Sequence, residues 1–162
     1  MKIKVAIALA ACLCAACTTR APDLGKREEA ARKSAEKIET TPNATSTAWT
    51  LNAYKRDLAE RIAQVNSTRV YVERPQALLR SVIVIKYVVA QDGTLLRADI
   101  VRSNHDQMAE STALSSLNKT APFPKPASHL LKNGRVEISE TWLFNNDGRF
   151  QLRTIALPQM GE

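Results

Sequence analysis

The side chains best suited to nucleophilic, redox or metal chemistry are three cysteines, Cys12, Cys14 and Cys17, and two histidines, His105 and His129. Their spacing decides what they can do. All the cysteines fall in the first seventeen residues, so a disulfide to the body of the chain has no distant partner. His105 abuts Asp106 at the start of a helical pattern, where a capping or surface role suffices, and His129 follows a proline-rich loop. Neither has a carboxylate or cysteine at ligand spacing, and no nucleophile stands with a base. No catalytic residue, metal site or cofactor is expected, and enzymatic activity is not.

The cysteines have another reading. Residues 1–20 begin with Lys2 and Lys4, continue through an apolar run from Val5 to Leu13, and leave through Ala15-Ala16-Cys17 into Thr18, Thr19 and Arg20. That is the layout of an export signal, with an apolar run too short for the ~20 residues that span a bilayer. The segment resembles the lipobox of bacterial lipoproteins, in which small residues precede a cysteine that is acylated and becomes the mature N-terminus. The resemblance places lipidation at Cys17, with Cys12 in Leu9-Ala10-Ala11-Cys12 as the alternative. The implied location is the periplasmic face of a bacterial membrane, with the outer membrane preferred, reached through a lipid anchor.

A net charge of +7 raises the question of a polyanionic partner. Lys and Arg are spread from Lys26 to Arg153 with Asp and Glu among them, and aromatic residues make up only 5%, which leaves little for bases to stack on. No nucleic-acid partner is expected. A composition of 44% hydrophobic and 24% charged residues fits one water-soluble domain after an export signal and a tether.

The pattern divides the chain into a signal at 1–16, a polar linker at 17–49, a domain at 50–157 and a tail at 158–162. In the linker, residues 26–39 pair opposite charges at helical spacing without an apolar face, and residues 40–47 are small and polar around Pro42. Thr50 then caps a stripe of Leu51, Tyr54, Leu58, Ile62 and Val65, which predicts a helix ending at Asn66. Residues 81–90, SVIVIKYVVA, are β-branched on both faces and predict a central strand. Asp92-Gly93 turns it into a return strand over Leu95–Arg102, with Leu96, Ala98 and Ile100 on one face. Asn104 with Gln107 suggests a capping box for a second helix carrying Met108, Ala109, Ala113, Leu114 and Leu117. Gly134–Phe144 alternates Val136, Ile138, Trp142 and Phe144 inward, and Asn146-Asp147-Gly148 turns it into a last strand over Arg149–Ala156. The predicted class is α+β, two-layered, ordered helix-strand-strand-helix-strand-strand around an antiparallel sheet.

That order, with Asp92-Gly93-Thr94-Leu95-Leu96, Ala113-Leu114 in the second helix and Phe123-Pro124-Lys125-Pro126 after it, resembles the C-terminal domain shared by TonB and TolA. The likeness covers residues 51–155. It departs before the first strand, where Tyr71 is followed by Val72 rather than by proline, and the membrane helix through which that family couples to an energy source has no counterpart here. The resemblance implies protein binding: an extended peptide of an envelope protein or receptor adds as a strand beside residues 136–144. Val136 and Ile138 would face the core, while the backbone and the outward Glu137, Ser139, Thr141 and Leu143 would meet the peptide. Arg149 and Arg153 would favour an acidic one. The alternative is a structural lipoprotein within a secretion or pilus machine.

The signal reading gives the first expected outcome. Mass spectrometry of the envelope-extracted protein should show an acylated Cys17 at its N-terminus, and Cys17→Ser should release a soluble form. An intact, unlipidated Met1 would exclude a lipid anchor, and an acylated Cys12 would move the site.

Overall fold

The computed structural model describes residues 44–159. Cys12, Cys14, Cys17, the export segment, the charged stretch at 26–39 and residues 160–162 lie outside the described residues. The order is α1 (Leu51–Val65), β1 (Ser81–Ala90), β2 (Leu95–Arg102), α2 (Gln107–Thr120), β3 (Arg135–Phe144) and β4 (Phe150–Leu152). The class is α+β: a four-stranded antiparallel sheet in the order β2-β1-β3-β4, with two helices packed on it.

Each helix starts where a side chain takes up a free N–H. Thr50 is extended and its Oγ1 accepts from Ala53 N at 3.1 Å, which starts α1. Tyr54, Leu58, Ala59 and Ile62 then bury one face. At the other end the Asn66 amide donates to Ile62 O at 2.8 Å, Ser116 O at 3.1 Å and Thr120 Oγ1 at 3.3 Å, so one buried side chain closes α1 and ties it to α2. The cap of α2 is Asp106, which accepts from Ala109 N; the expected Asn104–Gln107 box does not form. Asn104 instead pairs with Ser81 Oγ at 2.6 Å and Arg80 O at 3.1 Å, serving the start of β1. Met108, expected in the apolar face, is 71% exposed, because a cap at Asp106 turns Ala109, Ala113, Ser116, Leu117 and Thr120 inward.

β1 is the central strand that its β-branched run predicts. It buries Ile83, Ile85, Tyr87 and Val89 beneath the helices and pairs with β2 and β3 on its two sides. β2 departs from simple alternation. Register shifts against Val88/Val89 and Val84/Ile85 leave Leu96 and Val101 as extra residues, both 54% exposed. The bulge at Leu96 brings Leu95, not Leu96, into the core beside Ala98 and Ile100. β4 is three residues long rather than extending to Ala156, since the chain turns after Leu152 with Ile155 N and Ala156 N both bonded to Leu152 O.

Two loops fasten the layers. The segment at 44–49, read as linker from its small polar residues, lies against the domain: Ser46 N bonds Lys125 O, Lys125 N bonds Ala44 O, Ser46 Oγ bonds Asp57 Oδ2, and Ala48 is buried. The chain after α2 docks on the β1–β2 turn, where Phe123 N donates to Gly93 O at 2.8 Å. Gly93 has φ +91°, and a Cβ there would stand 2.1 Å from Phe123 O.

That contact sets the expected outcome of substitution. Gly93→Ala meets both the left-handed penalty of about 1–2 kcal/mol and a backbone clash, so it should cost at least about 2 kcal/mol. Gly134→Ala, with φ +73° and nothing nearer than 3.9 Å, should show the conformational penalty alone. Denaturation midpoints of the two variants check the difference, and equal losses would remove the role of Phe123.

Candidate functional site: the half-open edge of β3

β3 pairs with β1 along all ten of its residues, from Ala90↔Arg135 to Ser81↔Phe144. On its other side β4 reaches only Trp142, Leu143 and Phe144. Gln91 N bonds Gly134 O and Arg153 N bonds Thr141 O. In a ladder without register breaks, even-numbered residues of β3 therefore turn their backbone groups to β1 and odd-numbered ones turn theirs away.

Most of the odd positions are occupied. Arg135 exchanges both backbone bonds with Lys132, Thr141 N–H donates to Glu140 Oε1 at 2.7 Å while its C=O accepts from Arg153 N, and Leu143 pairs with Gln151. Within β3, only Glu137 and Ser139 face away from β1 with no strand beside them. The open stretch thus takes in only part of the strand, residues 136–144, that the sequence reading proposed. Val136, Glu137, Ile138 and Ser139 lie along the open stretch, whereas the backbones of Thr141 and Leu143 are engaged. Arg153 is exposed and stands where β4 leaves β3. Arg149 lies at the closed end beyond Phe144, with its guanidinium 2.6 Å from Asp147 Oδ2. The Asp147 carboxyl is held below the usual range by the Arg149 backbone N–H first and its side chain second.

The sheet's other margins are closed or blunted. Outside β4, Tyr71 N bonds Phe150 O, Val70 bridges Phe150 in parallel, and the buried Gln151 amide donates to Tyr71 O at 2.7 Å and to Glu73 O. β2 carries two bulges and an exposed Arg97–Asp99 ion pair, devices that discourage edge pairing.

Sequence reasoning passed over Glu140. It shares the inward phase of Ile138 and Trp142, and is 1% exposed. Its Oε1 terminates the open stretch at Thr141, while Oε2 and the nearby Tyr87 hydroxyl have no partner among the described residues. Burial first, then the Glu140 and Tyr54 charges, raise the Tyr87 hydroxyl well above its ordinary value. The signal available in sequence was a lone acidic residue in an apolar phase. Further along the core face, Trp142 Nε1 donates to Ser116 Oγ at 3.0 Å, which joins β3 to α2.

The histidines do not assemble a centre. His105 is exposed at φ +64° before α2, and His129 Nε2 lies 2.9 Å from Trp49 O with its ring 4.6 Å from the indole. Among the described residues no group of three His, Cys, Asp or Glu side chains could hold a metal ion, and no helix is long and apolar enough to cross a membrane.

Fold and site together define an α+β domain whose sheet has one interior strand left half open. Comparison with protein-family models, with curated proteins and with solved structures returns no match to the chain.

Closure of the β4 side depends on Gln151. Gln151→Ala strips the donor from the Tyr71 carbonyl in the interior and from the partly covered Glu73 carbonyl, so the domain should lose about 1–3 kcal/mol. Hydrogen exchange should rise first at Tyr71 and Phe150. Unchanged protection there would show that the parallel bridge closes this margin by itself.

Proposed function

We propose that this chain is a lipid-anchored periplasmic protein with a domain of the TonB/TolA C-terminal kind, which captures an extended segment of an envelope partner as an added strand. The reading gives it no energy-coupling membrane helix, and among the described residues no helix is long and apolar enough to cross a membrane. The observation that carries the reading is the open stretch of β3 at Glu137 and Ser139, on a sheet whose remaining margins are covered, bulged or charged. A strand laid there meets the N–H and C=O of both residues and continues the sheet in the space that β4 leaves.

The magnitude limits what pairing alone can do. Four backbone hydrogen bonds at a net ~1 kcal/mol each give about 4 kcal/mol, which corresponds to roughly millimolar affinity. Local concentration at the membrane surface, or side-chain contacts, must supply the rest.

Ser139→Pro isolates the pairing. Its N–H faces away from β1, so proline removes a donor to the incoming strand without breaking the β1 ladder. A photo-crosslinking residue at Glu137 should trap an envelope protein in intact cells, and Ser139→Pro should abolish the adduct while the melting temperature stays within a few degrees. An adduct that survives Ser139→Pro, or none at Glu137, excludes strand addition and leaves a structural role in an envelope machine.

A further inference from the structure

Backbone pairing is indifferent to sequence, and the side chains around the open edge are not. The concavity beside Arg135, Val136 and Glu137 also takes in Leu51 from α1 and His129, Leu130 and Lys132 from the preceding loop. Leu51 is 47% exposed, and Trp49 just before it is 80% exposed. Trp49 is nonetheless fixed: buried Ala48 precedes it, the Thr50 cap follows it, and its ring and carbonyl both engage His129. An exposed aromatic already held in place makes apolar contact at little cost in conformational freedom.

The charge left without an ion-pair partner at the same place has one sign. Lys132 and Arg135 are exposed and have no acidic partner among the described residues. The acid beside them, Glu137, has its carboxylate 3.1 Å from Lys86 Nζ, which offsets its repulsion of an acidic ligand. We infer that the start of the β3 edge selects an extended peptide in which a large apolar side chain, packed on Leu51, Leu130 and Trp49, stands beside acidic residues that meet Lys132 and Arg135. This selectivity rests on the strand-addition reading. It moves the basic determinants from Arg149, which is engaged by Asp147 at the closed end, to the opposite end of β3.

The chain reports on this site by its own fluorescence, because Trp142 is fully buried and Trp49 is the only other tryptophan. The probe is a synthetic peptide of alternating Val and Thr with a central Phe followed by a Glu pair, titrated into the full chain. Its binding should shift Trp49 emission to the blue. Replacing Phe by Ser, or the Glu pair by Lys, should weaken binding by about tenfold, as should Leu51→Asp or Arg135→Glu in the protein, the size of effect seen for anchor residues. Both protein variants change exposed side chains, so their melts should stay near that of the parent. If the Ser peptide binds as well as the Phe peptide, and Ser139→Pro abolishes both, strand addition stands and the selectivity is wrong. If no peptide binds and Glu137 traps no partner in cells, both fall. A blue shift with anionic phosphatidylglycerol vesicles and none with peptide would make the patch a membrane contact and overturn the inference.

Discussion

A strand held along its whole length on one side and along three of its ten residues on the other must send its remaining backbone groups elsewhere. That constraint on β3 organises the domain. Glu140 reaches round from the core to take Thr141 N–H, and Lys132 folds back on Arg135. The two residues between these plugs, at Glu137 and Ser139, are what the fold leaves over. Both plugs are local, so the open stretch is bounded on each side by groups that belong to β3 or the turn before it.

The interior ties the sheet that bears this gap to both helices. Trp142 on β3 bonds Ser116, the Ser116 carbonyl accepts from Asn66 and Thr120, and Asn66 caps α1, so both helices and β3 share one chain of hydrogen bonds. Arg80 and Asp106 add a pair between the approach to β1 and the start of α2, with the Asp106 carboxyl held low by Arg80 first and Ala109 N–H second. Satisfied buried networks of this kind favour one arrangement over its near alternatives.

Much of this was legible in the residues. β1 could be read because β-branched side chains on both faces mark an interior strand, and α1 because Thr50 and a five-membered apolar stripe agree. What could not be read depends on distant pairing. Alternation puts Leu96 inward, and only the bulges against Val84–Val89 reverse it. Asn104 looks like a cap until Ser81 and Arg80 claim its side chain. Residues 44–49 carry no apolar period, yet a strand-like pairing with Lys125 holds them. The reach of β4 is set by where the chain turns after Leu152, a feature that the alternating Phe150 and Leu152 do not announce.

The parallel bridge of Val70 to Phe150 and the bond from Gln151 to Tyr71, which spans eighty positions of sequence, carry a consequence for how the domain comes into being. Chains are made from the N-terminus, and contacts distant in sequence form late because of the loop they must close. Residues 70–73 are therefore present, with their edge unmet, through the synthesis of every later element. The domain reaches its final form only when its last strand arrives, and until then its nascent chain is the state most in need of protection from aggregation.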